Sequence, residues 1–375
     1  MGHPANSSDA LGLTGNSHNG KLGEHIPNPD VDASGTIADL SAKERFTRSL
    51  LLVPELAQVE ETIRAAFRSD VPLMHQIPEY LLSLGGKRIR PVLALLCGKA
   101  LGITKVTQPL NDVSAGIELI HMATLLHDDI IDHSPTRRHQ PSPLAKFGVN
   151  VTLLSGDFLL TRAFGLCAKL DQPIIAATEC ACIELVEGEA LETLLCDESH
   201  SLNTSLTIAK RKTASLFRLA AFCAAHIAGS SAIVKEAMSR FGEDLGIAFQ
   251  IIDDILDVTS DEATLGKRPG LDIIERKPSI INVLWLASGD PAARRLVTPL
   301  ASTASARAEE EVFVSAALAD LKKSNVMLQA KQLAFDRAES ARVALALAIS
   351  HTDTSDRAAV DALGAVIDFA VERVQ

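Results

Sequence analysis

The amino-acid sequence predicts an all-α protein folded as a single large helical bundle. Apolar residues make up 47% of the chain and aromatic residues only 4%, so the core is built mainly from aliphatic side chains. From Leu51 onward, apolar residues recur at the three- and four-residue spacing of amphipathic helices. Alternating strand patterns and Asn-Gly turns are missing beyond the N-terminal segment. Elements of this kind bury their apolar faces by packing helix on helix.

The predicted helices follow one another through short connections that are punctuated by proline and glycine. The first carries Leu56, Val59, Ile63 and Phe67 on one side. The second, at 71–84, ends at a diglycine, and the third begins with proline in its first turn. Further helices are predicted at 112–132, 144–169, 173–196, 204–228 and 232–258, with several more from 278 to 372. No change of composition divides the predicted domain, which spans residues 46–375.

Residues 1–45 are predicted to form a disordered polar tail, because they are rich in Gly, Ser, Asn, Asp and Pro and show no apolar period. The net charge of −11 argues against a nucleic-acid-binding protein, which would carry a basic surface. The sequence shows neither a signal peptide nor the ~18 consecutive apolar residues of a membrane-spanning helix. Six cysteines without a C-x-x-C pair favour reduced, buried thiols in a cytoplasmic protein.

Two acidic motifs of the form D-D-x-x-D follow apolar helical stretches. The first lies in LLHDDIIDHSPTRRH (125–139) and the second in FQIIDDILD (249–257). On a helix, Asp128 and Asp132 share one face, as do Asp253 and Asp257. Partly buried carboxylates at this spacing repel each other and are costly without a counter-charge. One such cluster alone would be interpreted as a solvated helix end, but the repetition favours a site for Mg²⁺, which prefers oxygen ligands.

Three basic segments accompany the acidic motifs. Lys87, Arg88 and Arg90 follow the diglycine in GGKRIRP, two arginines follow the first acidic motif, and a third segment opens RKTASLF (211–217). Any one of these is more often a solvated face than a binding site. Together with the metal sites they indicate an anionic substrate, and a diphosphate fits because it bridges Mg²⁺ ions and accepts paired hydrogen bonds from arginine.

These residues resemble the trans-isoprenyl diphosphate synthases (polyprenyl synthetases), particularly the bacterial long-chain synthases of the octaprenyl type. The similarity runs from about residue 50 to the C-terminus. It includes GGKRIRP, both acidic motifs, GDFLLTRAF (156–164), EGEALE (187–192), RKTASLF and LGKRPGLD (265–272).

The resemblance implies the isoprenoid synthase fold, an all-α bundle with a central cavity. It also implies an Mg²⁺-dependent prenyltransferase that condenses isopentenyl diphosphate with an allylic diphosphate. The expected product is a trans-polyprenyl diphosphate of C30–C50 for quinone side chains. We further expect a cytoplasmic homodimer without transmembrane segments, which contacts a membrane transiently to release its product.

The resemblance also assigns roles to individual residues. Asp128, Asp132 and Asp253 match magnesium ligands. Lys87, Arg90, His121 and Arg138 match the pocket for isopentenyl diphosphate. Arg137, Lys212, Thr213, Gln250 and Lys267 match groups around the allylic diphosphate and the developing cation. The catalytic step is expected to depend on Asp128, Asp132, Asp253, Lys212 and Lys267.

Product length is expected to depend on the helix turn before Asp128. Positions four and five before it, Thr124 and Ala123, form the first possible floor for an allylic tail that runs back along the helix. Both are small, which favours a long product. Alternatively these residues only permit tight helix packing, and Phe158 or Phe164 sets the floor.

Other functions fit less well. A short-chain synthase, which makes farnesyl or geranylgeranyl diphosphate, often has an aromatic ring at the floor. Many bacterial farnesyl synthases also carry an insertion inside the first D-D-x-x-D motif, which this chain lacks. A class I terpene cyclase needs Ser or Thr and then Glu where this chain has Asp257 and Asp261. A non-catalytic partner subunit commonly lacks one acidic motif. Relative to the family pattern, His139 and Arg276 replace glycine, and Ile281 replaces proline.

Overall fold

The computed structural model describes residues 40–193, 199–261, 268–298 and 304–373, which form an all-α bundle as predicted. Its first helices are α1 (Ala42–Ser49), α2 (Leu56–Ala66), α3 (Pro72–Ser83), α4 (Ile89–Ala100), α5 (Gln108–Ile131), α6 (Pro143–Phe147), α7 (Val149–Cys167) and α8 (Gln172–Glu192). The others are α9 (Leu202–Ile208), α10 (Ser215–Ile227), α11 (Ala232–Thr259), α12 (Leu271–Ile274), α13 (Ile280–Ala287), α14 (Ala304–Leu321), α15 (Asn325–Ser350) and α16 (Arg357–Glu372). Short 3₁₀ helices occupy Leu50–Leu52 and Pro291–Val297.

The helices that carry the acidic motifs lie at the centre of the packing. Helix α5 packs along α7, and α11 packs along α10 and α15. Glycines allow α10 and α11 to approach closely: a Cβ on Gly242 would lie 2.5 Å from the carbonyl oxygen of Phe217. A Cβ on Gly246 would lie 2.5 Å from the Cα of Ala214. The backbone contact therefore brings the segment around Lys212 next to the second acidic motif.

Two predicted helices are interrupted in the structure. The segment 144–169 is divided into α6 and α7 at Gly148, whose φ of +86° is incompatible with a continuous helix. The segment 204–228 contains a π-helical turn, Ala209–Ala214, between α9 and α10. Turns of this kind are frequent at functional sites, and this one contains two of the predicted site residues.

The first helix begins inside the segment that was predicted to be disordered. Ser41 and Glu44 form a reciprocal capping box that starts α1 at Ala42, four residues before the predicted boundary. Phe46 stacks on Phe369 at 4.5 Å between ring centroids, which fixes α1 against α16. Residues 1–39 lie outside the described residues, so the disorder of the tail stays a prediction.

A small β-hairpin, missed in the sequence, follows the first acidic motif. Thr136–Arg137 pairs with Gln140–Pro141, and Arg138 (φ 52°) with His139 (φ 63°) forms the two-residue turn. Two consecutive positive φ angles are typical of tight hairpins, which usually use Asn-Gly. The turn escaped prediction because it contains neither residue.

The cysteines follow the prediction only in part. Cys97, Cys167 and Cys223 are free and buried, and Cys182 is half-buried. Cys180 on α8 is exposed, so its predicted burial is wrong. Cys196 lies outside the described residues. Within the described residues, no helix is long and apolar enough to cross a membrane.

Candidate active site

The three aspartates of the first motif differ in their surroundings at the end of α5. Asp129 is completely buried, and Arg137 donates to its Oδ1 from Nη2 at 2.7 Å and from Nε at 3.0 Å. Asp132 ends the helix and accepts a hydrogen bond from Lys277 Nζ at 3.0 Å. Burial raises the pKa of Asp128 to about 7, although Lys212 acts in the opposite direction. Asp128 and Asp132 are thus available to a cation, while Asp129 holds Arg137.

The second motif is divided in the same way. Asp253 is 42% exposed and lies 2.9 Å from Arg373 Nη2. Asp254 is buried and accepts hydrogen bonds from Gln250 Nε2 at 2.8 Å and from the backbone N–H of Ile280 at 2.9 Å. Asp257 is also buried and accepts from the backbone N–H of Asp272 at 3.2 Å. Spacing placed Asp253 and Asp257 on one face, but Asp257 supports the following turn and Asp253 alone is open.

Two lysines lie among the carboxylates. Lys212, on the π-helical turn, forms ion pairs with Glu189 at 2.7 Å and with Glu192. Burial lowers the pKa of Lys212, but Glu192, Asp128 and Glu189 outweigh it and hold the pKa above its ordinary value. Lys212 therefore remains a cation at the site where a negative charge could be stabilised.

The second lysine, Lys277, was missed in the sequence analysis. It lies 3.0 Å from Asp132, 2.9 Å from Glu275 and 3.7 Å from Glu192, so it joins the turn after α12 to the first acidic motif. Lys277 lies in the segment ERKPSII (275–281). Attention in this segment went to Arg276 and Ile281, which differ from the family pattern, and not to the lysine.

The π-helical turn is held against the second motif. Thr213 Oγ1 donates to Gln250 Oε1 at 2.5 Å, so the amide oxygen of Gln250 has a fixed orientation. Helix α8 approaches the turn so closely that a Cβ on Gly188 would lie 2.5 Å from the backbone nitrogen of Lys212. Three predicted residues are therefore adjacent. Lys267, which was predicted to belong to the same group, lies outside the described residues.

The residues predicted to bind isopentenyl diphosphate are also brought together. A Cβ on Gly86 would lie 3.1 Å from Arg138 Nη1, so the diglycine gives this arginine room. Burial lowers the pKa of His121 well below its ordinary value, and the charges of Arg90, Arg137 and Arg138 lower it further. Burial and the neighbouring Arg373 lower the pKa of Lys87 to about 8. The positive charges of Lys87, Arg90 and Arg138 are thus brought together, which favours an anion between them.

Arg90 has the geometry of a binding residue rather than a structural one. Its guanidinium lies over the ring of Phe217 at 5.1 Å, and its buried Nε finds no hydrogen-bond partner among the described residues. Arg88, by contrast, pairs with Glu60 at 3.2 Å and with Glu118 at 3.3 Å, which secures the start of α4.

Arg373, near the C-terminus, is a second residue that the sequence analysis missed. It lies 4.0 Å above the ring of Phe249 and contacts Asp253, while Lys87 lies 4.4 Å above the ring of Phe369 on the preceding turn. Arg373 therefore links the second acidic motif with the basic pocket, which comprises Lys87, Arg90, His121 and Arg138. A single arginine at the end of an amphipathic helix gave no signal in the sequence.

One face of α5 connects the two charged regions. His121, Thr124, Leu125 and Asp128 share this face and are only partly buried. Ala123, on the opposite side, is completely buried in the core. Thr124 Oγ1 donates to the carbonyl oxygen of His121 at 2.8 Å. Of the two residues predicted to control product length, only Thr124 is open to the site.

Comparison with known proteins agrees with this arrangement. The polyprenyl synthetase family model matches residues 71–318, which include both acidic motifs and the basic pocket. The chain belongs to the polyprenyl synthetase family. The nonaprenyl diphosphate synthase of Mycobacterium tuberculosis is 33% identical over 319 residues, which cover 85% of this chain and 92% of that protein. The octaprenyl diphosphate synthase of Haemophilus influenzae is 37% identical over 231 residues, 60% of this chain and 69% of that protein.

The fold is also that of a solved polyprenyl synthase. The crystal structure of the Caulobacter crescentus polyprenyl synthase, complexed with calcium and isoprenyl diphosphate, matches with a TM-score of 0.77 at 31% identity. The match covers 88% of this chain and 98% of the other. This polyprenyl synthetase therefore has the all-α isoprenoid synthase fold.

The carboxylates fit the divalent metal ions that polyprenyl synthetases use. No three Asp, Glu, His or Cys side chains within the described ranges are close enough to form a complete metal site. Asp128, Asp132 and Asp253 instead come from two helices, and together they could supply only part of the ligands of a bound cation. Mg²⁺ commonly binds in this way, through one or two carboxylates with water and substrate phosphates completing its shell. Burial raises the pKa of Asp128 in spite of Lys212 and Arg137, so a further positive charge beside this carboxylate would favour its ionised form.

Proposed function

We propose that this prenyltransferase condenses isopentenyl diphosphate with an allylic diphosphate to form a trans-polyprenyl diphosphate. The observation that carries the proposal is that one face of α5 connects a region of positive charge with a region of negative charge. His121 belongs to the basic pocket. Asp128 lies seven residues, or ~10.5 Å, further along the helix. It belongs to the acidic region, which comprises Asp128, Asp132 and Asp253 with the two lysines among them. This separation allows two diphosphates to bind with their hydrocarbon parts between them.

The allylic diphosphate is the substrate of the acidic region. Asp128, Asp132 and Asp253 would hold Mg²⁺, which would supply positive charge against the leaving diphosphate. Lys212 and Lys277 lie where they can stabilise the same charge as it develops. The C1–O bond breaks, and its electron pair leaves with the diphosphate. The allylic cation at C1 is met by the oxygen of the Gln250 amide and by the Thr213 carbonyl.

Isopentenyl diphosphate is the substrate of the basic pocket. Lys87, Arg90, His121 and Arg138 bind its diphosphate and orient its double bond towards C1. The double bond attacks C1 to form the new C–C bond, and a proton then leaves the carbon next to the resulting cation. The released diphosphate accepts this proton.

The first prediction tests the reaction itself. Purified protein with Mg²⁺, labelled isopentenyl diphosphate and farnesyl diphosphate is expected to yield labelled product that extracts into organic solvent. The reaction should stop when the metal is chelated and resume when Mg²⁺ is restored. Failure to incorporate label with any allylic primer, under conditions in which a known synthase is active, would contradict the proposal.

We expect the product to be C30–C50, as the names of the octaprenyl and nonaprenyl relatives suggest. The small side chain of Thr124 on the open face of α5 supports this length. The alternative is a farnesyl or geranylgeranyl product, and a dominant C15 or C20 product in excess isopentenyl diphosphate would favour it. The free thiols of the described cysteines are consistent with a cytoplasmic enzyme. We also expect this enzyme to contact a membrane transiently when it releases its product.

The second prediction is a homodimer formed through α7 and α8. These neighbouring helices expose large apolar side chains, including Leu153, Leu154, Phe164, Ile183 and Val186. An apolar surface that spans two helices is typical of a protein interface. Light scattering should give a mass of twice 40.0 kDa.

Matched variants make the homodimer prediction specific. Leu154→Glu and Val186→Glu should shift the mass to that of a monomer, since both side chains are more than half exposed in the single chain. Val312→Glu is the control, because Val312 is 72% exposed on α14. A wild-type monomer, or dissociation by the control alone, would contradict the proposed interface.

A further inference from the structure

Arg276 is a buried arginine in a backbone conformation that disfavours it. Its φ is +58°, in the left-handed region, and the residue is only 5% exposed. This backbone conformation is unfavourable for a residue other than glycine, and burial of a guanidinium adds a desolvation cost. A position that combines both costs persists only where surrounding interactions compensate them.

The compensating interactions join three segments of the chain. Arg276 Nη1 donates to Glu310 Oε1 on α14 at 2.7 Å and to the carbonyl oxygen of Ile273 at the end of α12 at 2.9 Å. The other oxygen of Glu310 accepts from Arg295 Nη2 at 3.2 Å. Burial alone would raise the pKa of Glu310, but the two arginines hold it below its ordinary value. The carboxylate is therefore charged and bound on both sides.

The residue next to Arg276 belongs to the acidic region. The backbone N–H of Lys277 donates to the carbonyl oxygen of Asp272 at 3.0 Å, which closes the turn after α12. From this turn the Lys277 side chain reaches Asp132 at 3.0 Å. Any displacement of the turn would move the Lys277 ammonium relative to the first acidic motif.

We propose that Arg276 is a positioning residue, which anchors the turn to Glu310 and thereby holds Lys277 at the acidic region. Its effect on catalysis rests on the proposed function, whereas its effect on the turn does not. Arg276 is buried against Glu310, so it would act on catalysis through Lys277.

Hydrogen–deuterium exchange tests the anchor without turnover. Arg276→Gln and Glu310→Gln should each accelerate exchange in a peptide that covers residues 272–278 by about tenfold, because local opening is no longer opposed by the ion pair. Glu311→Gln is the matched control, since Glu311 is the next residue on α14 and is 68% exposed in a 3.7 Å pair with Arg268. Wild-type exchange in both test variants would overturn the proposal.

Arg276→Gly separates the side chain from the backbone. Glycine adopts the left-handed conformation freely, so this variant relieves the strain but loses the ion pair. If the ion pair anchors the turn, Arg276→Gly should exchange as fast as Arg276→Gln. Exchange as slow as in the wild type would show that only the backbone conformation matters, and would overturn the proposal.

Steady-state kinetics then test the link to Lys277. Arg276→Gln and Glu310→Gln should raise the KM for the allylic diphosphate several-fold and leave the KM for isopentenyl diphosphate unchanged. A loss of stability alone would reduce the active fraction and move neither KM. Accelerated exchange with both KM values unchanged would overturn the positioning role. Accelerated exchange in a protein that forms no product at all would instead contradict the proposed function and leave the anchor established.

Discussion

Replacement of Asp128 by asparagine is expected to reduce kcat by roughly 10²–10³-fold, as does removal of a group that stabilises charge in a transition state. Asparagine has the same shape but cannot supply the negative charge that a metal ion requires. Asp253→Asn should have an effect of similar size, since Asp253 is the open aspartate of the second motif. Asp257→Asn should affect stability more than kcat, because Asp257 is buried against the Asp272 backbone.

Arg90→Ala is the kinetic control for these variants. It lies in the basic pocket and should chiefly raise the KM for isopentenyl diphosphate, because it binds substrate and transition state alike. If it weakened the allylic substrate instead, the two pockets would be assigned the wrong way round. Retention of more than about a tenth of wild-type kcat by Asp128→Asn would remove Asp128 from the catalytic step.

The same variant gives an independent readout of the metal. The pKa of Asp128 in the folded protein is about 7, above its ordinary value of 3.8, so its charge destabilises the metal-free fold. This penalty develops as the pH rises from the lower value to the higher and is fully present above it. Asp128→Asn should therefore raise the thermal midpoint of metal-free protein at pH 8 more than at pH 4. Mg²⁺ should stabilise the wild type more than the variant.

The helices and both acidic motifs could be predicted because their signals are local. Apolar spacing defines a helix, and the D-D-x-x-D pattern is complete within five residues. Which aspartate is open could not be predicted, since distant backbone groups decide it. Asp254 accepts a hydrogen bond from the backbone N–H of Ile280, and Asp257 accepts one from that of Asp272. The spacing of the aspartates in the sequence predicts neither contact.

The residues that were missed have the same physical explanation. Lys277 and Arg373 lie far from the first motif in sequence and reach the site only through the packing of α12 and α16. The turn at Arg138 and His139 and the left-handed backbone of Arg276 depend on φ angles that glycine or asparagine would have signalled. Arginine and histidine give no such signal. The fold was therefore predicted correctly, but these two turns were not.

Product length is where a single substitution should change the outcome most visibly. Thr124 lies one helical turn, or ~5.4 Å, before Asp128 on the open face of α5. Phenylalanine at this position would obstruct a hydrocarbon tail that extends from the acidic region along the helix. Thr124→Phe is therefore expected to replace the long product by a shorter one while the first condensation stays close to wild-type rate, since the diphosphate sites are unchanged.

Ala123→Phe is the matched control, because Ala123 is adjacent but completely buried. A large ring there must displace the core, at a cost of typically 1–3 kcal/mol. The variant should therefore lower the thermal midpoint, whereas Thr124→Phe should not. Chromatography of the dephosphorylated products measures the product length of each variant.

If Thr124→Phe left the product length unchanged, the residue that stops the growing hydrocarbon tail would lie further from Asp128 than Thr124. Phe158→Ala should then lengthen the product, because Phe158 packs against the core from α7.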